Sequence, residues 1–189
     1  MSSKKFDVTK LNKLNNPERI KDFPLEFILE HLQIKDLKVI IDLGAGTGFY
    51  SIPFASRFKS CKIYACDISD TMIDWMKDNV VPLHSNIITV KMGENNVPLH
   101  NEMADLLFMV NLHHELDNPE KILKESYRVL KSNGSIAISD WRKEASEHGP
   151  SIDIRYAAEK VEAQLKTTGF KNIRIFNDFP NNFVIIAEK

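Results

Sequence analysis

The sequence predicts an α/β fold: a mostly parallel sheet, helices between its strands, and an antiparallel pair at its end. Three observations carry this. Beyond an N-terminal stretch, short apolar runs alternate with amphipathic ones. The first run, VIIDLGAGTGFY at 39–50, ends in an acid and passes at once into Gly44, Gly46 and Gly48. Such clustering suggests a tight turn out of a buried strand, or a ligand lying against bare backbone. The last two runs are joined only by NDFPNN, too short for a parallel crossover, so they are expected to pair antiparallel.

The elements follow in order. Residues 24–32 read as a helix, KVIIDL (38–43) as the first strand and residues 48–58 as the helix after the glycines. KIYACD (62–67) is the second strand, and Ser69 or Asp70 caps a helix over 70–79. IITVK (87–91), ADLLFMV (104–110) and SIAISD (135–140) are the next three strands. Pro119 sits near the first turn of a helix over 119–130, which Asn133-Gly134 should close. A helix over 155–168 ends at Gly169, and NIRIF (172–176) with FVIIAE (183–188) forms the closing pair.

Bulk properties narrow the function classes. A chain of 189 residues suits one domain with a full core. Its 43% hydrophobic and 27% charged residues are ordinary for a soluble globular protein. A formal net charge of −1 lacks the basic surplus of a nucleic-acid binder, so no nucleic-acid partner is expected. Cys61 and Cys66 lie at odd spacing on a strand, which points them to opposite faces roughly 16 Å apart. Neither a disulfide nor a shared metal fits, and unpaired cysteines suit a reducing cytoplasm. No run approaches the roughly 18 apolar residues of a membrane span, and MSSKKFDVTK does not read as a signal peptide. The expected location is cytoplasmic, with no membrane partner. The oligomeric state is not legible.

The glycine loop admits several cofactor classes, since a strand, turn and helix bring backbone N–H groups and a positive helix end to one point. The dinucleotide pattern G-x-G-x-x-G would require glycine or alanine at position 49, where this chain has Phe49. Asp67, about twenty residues beyond the loop at the end of the second strand, can accept both hydroxyls of a ribose. It disfavours ligands that carry a 2′-phosphate.

VIIDLGAGTGFYSIPFA followed by IYACDISDTMIDWMKDN resembles the first two motifs of the class I S-adenosylmethionine (SAM)-dependent methyltransferases, of the small stand-alone bacterial and archaeal type. The resemblance continues through KMGENNVPL, ADLLFMVNLHHEL, ILKESYRVLKSNGSIAISDW and the closing pair, covering roughly residues 36–189. It implies a Rossmann-like, doubly wound seven-stranded sheet of order 3-2-1-4-5-7-6 with strand 7 antiparallel. It also implies one domain over 1–189, with 1–35 as a helical lid segment, 36–189 as the core and 141–156 as an insertion on the substrate side.

The same resemblance implies site residues. Asp42 would lie near the methionine ammonium, and Gly44, Ala45, Gly46 and Gly48 would wrap the amino-acid portion. Tyr50 would reach towards the methionine end or pack beside its helix. Asp67 would hold the ribose, and Ile68 with Met72 would pack on the adenine. In the loop from Gly93, either Glu94 or Asn95 would accept from the adenine amino group. Asn111 and Leu112 would border the methionine moiety. Phe6, Leu14 and Arg19 of the lid are candidates to touch the cofactor.

Methyl transfer from a sulfonium needs alignment and water exclusion, and needs a base only if the nucleophile arrives protonated. NLHHEL holds the candidate catalytic pair, His114 and Glu115, since histidine titrates near neutrality. A structural role, in capping the turn before Asp117-Asn118-Pro119 or in shaping the substrate side, is the more ordinary account of the pair. No metal site is expected, because adjacent histidines do not readily ligate one ion and H-E-x-x-H is absent. By the same resemblance, Asp140, Trp141, Arg142 and Lys143 would stand where the fold opens to substrate. The expected function is methyl transfer from SAM to a small-molecule acceptor by in-line displacement, leaving S-adenosylhomocysteine. The alternatives are a non-catalytic SAM-binding sensor or partner subunit, and an NAD-dependent oxidoreductase.

Overall fold

Strands that are apolar on both sides must be covered on both sides, and the computed structural model, which describes residues 11–32, 34 and 36–189, gives each face its own core. The strands are β1 Val39–Leu43, β2 Lys62–Asp67, β3 Ile87–Lys91, β4 Ala104–Val110, β5 Leu130–Trp141, β6 Lys171–Phe176 and β7 Asn182–Glu188. The helices are α1 Leu11–Leu14, α2 Leu25–His31, α3 Ser51–Arg57, α4 Asp70–Asn79, α5 Pro119–Val129 and α6 Ala158–Thr168. Sheet order is β3-β2-β1-β4-β5-β7-β6. β7 runs antiparallel to both of its neighbours, and the remaining pairs are parallel.

Successive strand residues alternate between the two cores, as the two-residue period of a strand requires. Ile40, Ile63, Leu106, Phe108 and Val184 meet Ile28, Phe54 and Met76 of α2, α3 and α4. Ile41, Leu107, Met109, Ile138 and Ile185 meet Leu123 of α5 and Leu165 of α6. Cys61 enters the first core and Cys66 the second, so the sheet separates them, and burial pushes both thiols up.

Local signals set several boundaries. The Ser69 hydroxyl accepts from Met72 N to start α4, Asn118 accepts from Lys121 N just ahead of Pro119, and Gly169 closes α6 at φ +112°. Asn133-Gly134 does not close α5. That helix ends at Val129 and Leu130 is already extended, so β5 begins directly. The register against β4 shifts between Ala104↔Leu130 and Leu106↔Ser135, and Asn133 takes φ +67° inside that irregularity. Asparagine tolerates the left-handed conformation. Gly134 lets the irregular start of β5 close up on β4, since a Cβ there would lie 2.9 Å from the Lys131 carbonyl and 3.1 Å from that of Ala104.

The described part of the 1–35 segment comprises α1, a 3-10 turn over Pro17–Asp22 and α2. Phe6 lies outside the described residues, as do residues 1–10, 33 and 35 generally. Among the described residues no helix is long and apolar enough to cross a membrane.

Candidate functional site

Parallel strands end together, so the loops following β1, β2, β3, β4 and β5 gather along one edge of the sheet. The glycine loop is the centre of that edge. Gly44, Gly46 and Gly48 have φ of +72°, +57° and +73°, values that L side chains rarely adopt. At Gly44 a Cβ would stand 2.7 Å from Leu112 Cδ1, so the missing side chain makes room for Leu112 itself.

Much of the loop's backbone is already bonded. Gly44 N and Ala45 N both donate to the Cys66 carbonyl at 2.8 and 2.9 Å, and Gly46 N donates to Asp67 Oδ2 at 2.8 Å. Asp67 Oδ1 accepts from Ser69 N at 2.8 Å, so one carboxylate spans the loops after β1 and β2. A carboxylate has about four lone-pair sites, and with the Ile68 backbone also directed at it, Asp67 keeps some acceptor capacity for a further donor. Burial raises the Asp67 carboxyl above its ordinary range, against the lowering effect of its backbone donors. Ile68 is half-buried, Met72 is buried at the first turn of α4, and Met92 N donates to the Asp67 carbonyl at 3.0 Å. That bond sets the exposed Gly93, Glu94 and Asn95 beside Asp67.

Asp42 lies under the loop, 2% exposed, and Ser51 Oγ donates to its Oδ2 at 2.6 Å. Burial pushes its carboxyl up to about 7; the Ser51 bond and nearby Arg19 pull downwards, while Asp67 pushes upwards. The N-terminal segment covers this region as a strap. A Cβ on Gly46 would meet Leu14 at 3.4 Å, and Thr47 Oγ1 donates to Asn15 Oδ1 at 2.8 Å. Tyr50 is buried among Phe23 and Phe49 with its hydroxyl donating to the Arg19 carbonyl at 2.6 Å, which commits it to anchoring the strap. Arg19 donates to the Leu14 carbonyl and sits over the Phe49 and Tyr50 rings. Asn111 reaches Asp22 at 3.4 Å and takes a bond from Asn182 at 2.7 Å.

Next to Leu112, a 3-10 turn over His113–Glu115 presents both histidines. His113 is fully buried with Nε2 2.9 Å from Gln164 Oε1 and its ring edge-on to Tyr156, and burial lowers its pKa. His114 faces β5. Its Nδ1 is 2.7 Å from Asp140 Oδ1, its backbone N donates to Asp140 Oδ2 at 3.0 Å, and Glu115 Oε1 stands 3.8 Å from Nε2. Burial alone would lower the His114 pKa, but the Asp140 bond and charge, with Glu115, outweigh it and raise the value.

The insertion is organised by a residue that no motif marks. Arg155 is 5% exposed and donates to the carbonyls of Arg142, Glu144, His148 and Pro150, with its guanidinium over the Trp141 ring. Gly149, at φ +101°, lies against the same ring, where a Cβ would come within 2.7 Å. Trp141 is thereby packed against both. Arg142 braces the β6–β7 turn through the Asn177 and Pro180 carbonyls, and Lys143 is exposed. The His114–Asp140 pairing also escaped sequence reasoning, although the expected adjacency of strands 4 and 5 was a signal that their final residues would meet. Among the described residues no group of three or more potential ligands is arranged to hold a metal.

Comparison with known proteins adds to this geometry. A family profile described as "Methyltransferase domain" matches residues 41–138. A crystal structure of a SAM-dependent methyltransferase from Aquifex aeolicus is 32% identical with a TM-score of 0.89, covering 97% of this chain and 99% of the other. A malonyl-[acyl-carrier protein] O-methyltransferase of Methylococcus capsulatus is 26% identical over 148 residues, 72% of this chain and 53% of that protein. A (S)-coclaurine N-methyltransferase of Papaver somniferum is 25% identical over 140 residues, 74% of this chain and 38% of its own length. The matched region thus spans about half or less of these curated relatives.

Proposed function

The chain belongs to the methyltransferase-domain family of SAM-dependent enzymes, and from that footing we propose which of its residues hold the cofactor and what kind of acceptor it methylates. When bound, SAM supplies an electrophilic methyl group on a sulfonium, whose carbon–sulfur electron pair stays on sulfur as the acceptor's lone pair takes the methyl.

The observation that carries the cofactor assignment is Asp67, whose single carboxylate bonds both Gly46 N and Ser69 N and retains acceptor capacity for ribose hydroxyls. Asp42, a buried carboxyl bonded by Ser51, is suited to a cationic amino group beneath the glycine loop. Gly44, Ala45, Gly46 and Gly48 shape the floor, and Asn111 and Leu112 close its β4 side. Ile68, Met72 and the Gly93–Glu94–Asn95 turn flank Asp67 on the adenine side. Leu14 and Arg19 of the strap exclude water above the loop, with Tyr50 holding the strap down. Two carboxylate acceptors beside a turn without side chains fit a ligand that carries an ammonium and a ribose diol.

His114 and Glu115 stand at the end of β4, where an acceptor would meet the methyl group, and His114 takes up the acceptor's proton. The acceptor is a small molecule: the formal charge of −1 provides no basic surplus for a nucleic acid. The test is calorimetric titration with S-adenosylhomocysteine and NAD, followed by incubation of methyl-labelled SAM with a cell extract. Micromolar binding of S-adenosylhomocysteine alone, with label in the acid-soluble fraction, is expected. Binding of NAD alone would reject the pocket assignment, and label confined to precipitated protein or RNA would reject the small-molecule acceptor.

A further inference from the structure

The His114–Asp140 pair has a directionality that the atoms themselves settle. Asp140 Oδ1 accepts from Trp141 N at 2.7 Å and Oδ2 from His114 N at 3.0 Å. Both oxygens are therefore acceptors, and the 2.7 Å contact to His114 Nδ1 places the ring proton on Nδ1. The neutral ring then has its lone pair on Nε2. Among the described residues no hydrogen bond reaches Nε2, and Glu115 Oε1 lies 3.8 Å away, beyond bonding distance. β4 and β5 run side by side with Val110 opposite Ser139, so Asp140 arrives beside the turn that carries His114. Leu112, two residues before His114, packs against Gly44. The turn that carries His114 thus follows directly on the residue packed against the glycine loop.

We propose that Asp140 is a positioning residue that keeps the His114 proton on Nδ1, so that Nε2 takes a proton from an acceptor whose reacting atom arrives as a hydroxyl oxygen or an ammonium nitrogen. This rests on the methyltransferase site described above and narrows its substrate class. In the step, the acceptor's O–H or N–H bond gives its proton to Nε2. The lone pair of that oxygen or nitrogen forms the new bond to the methyl carbon, and the carbon–sulfur pair leaves with sulfur. His114 afterwards returns the proton to solvent. An acceptor that is already anionic, such as a carboxylate, has no proton to give and draws nothing from this arrangement. The groups that face the ring pull in opposite directions: Asp140 and Glu115 favour the protonated form, burial and Arg155 oppose it, and the balance lies above the ordinary histidine value. His113 is the remaining titratable neighbour.

The test reads the ring directly and needs no acceptor. Nitrogen-15 spectra of histidine-labelled protein saturated with S-adenosylhomocysteine should show the neutral His114 ring protonated at Nδ1, titrating above a free histidine. In Asp140→Asn the amide donates to Nδ1 instead, which should move the proton to Nε2 while S-adenosylhomocysteine affinity changes by less than about threefold. Turnover is then measured with methyl-labelled SAM against a phenol, a primary alcohol, a primary amine and a carboxylate. Label on a hydroxyl or amine, with kcat/KM lowered about 100-fold or more in Asp140→Asn, is the expected result for loss of a general base. The wild-type acidic limb should follow the His114 titration. A wild-type ring protonated at Nε2, label confined to the carboxylate, or Asp140→Asn turnover equal to wild type would overturn the inference. Failure of the wild type to bind S-adenosylhomocysteine would instead reject the cofactor site.

Discussion

Asp42 offers a quantitative prediction, because its carboxyl titrates near 7 in the cofactor-free site. If the ionised form receives the cofactor's ammonium, only the ionised fraction is competent, and the apparent Kd rises as one over that fraction. With a midpoint of about 7, roughly 9% is ionised at pH 6 and roughly 76% at pH 7.5. The α-amino group of the ligand, at about 7.7–8.0, is still mostly charged across this window. Affinity for S-adenosylhomocysteine should therefore rise about fivefold to eightfold from pH 6 to 7.5. Binding at pH 7 should release about half a proton from Asp42, measurable by titration calorimetry in buffers of different ionisation enthalpy. Asp42→Asn should remove the pH dependence and bind more weakly at pH 7.5. The sign for folding runs the other way. A carboxyl whose folded pKa is raised destabilises the cofactor-free fold progressively from its unfolded value near 4 up to about 7. Asp42→Asn should accordingly raise Tm at pH 8 relative to wild type but not at pH 4. A wild-type affinity flat from pH 6 to 7.5, with no proton release, would refute the placement of Asp42 against the ammonium.

Other perturbations test other parts of the site. Asp67→Ala should weaken S-adenosylhomocysteine binding tenfold or more, about 1.5–3 kcal/mol for lost charge-assisted bonds; unchanged affinity by calorimetry would reject its ribose role. Gly44→Ala should lower stability by about 1–3 kcal/mol in urea denaturation, because the alanine is strained at φ +72° and meets Leu112 at 2.7 Å. Tyr50→Phe removes the bond to the Arg19 carbonyl, about 1 kcal/mol, and should speed limited proteolysis of the strap while the sheet remains intact. Arg155→Met should increase hydrogen exchange over residues 142–150, whose carbonyls it binds, and leave S-adenosylhomocysteine binding within about twofold.

Features with local causes were legible in the chain alone. Ser69, Asn118-Pro119 and Gly169 mark helix ends because a cap acts within a turn of the residues it satisfies. The NDFPNN link dictated an antiparallel close because six residues cannot recross a sheet. The glycine loop and Asp67 were legible because strand, turn and second strand are consecutive. Asn133-Gly134 misled for the same local reason: asparagine and glycine suit any left-handed turn, and pairing with β4 made it an irregularity within β5 rather than a helix end. The candidate site required the tertiary structure. His114 and Asp140 are 26 residues apart and meet only through the β4–β5 register. Tyr50 bonds the strap because the fold brings the Arg19 carbonyl, 31 residues away, within reach of its hydroxyl. Arg155 became the centre of the insertion because a buried guanidinium needs several acceptors, and the folded loop offers four carbonyls at once. Partners chosen by long-range packing leave no periodicity in the chain, so geometry alone revealed which polar groups face each other.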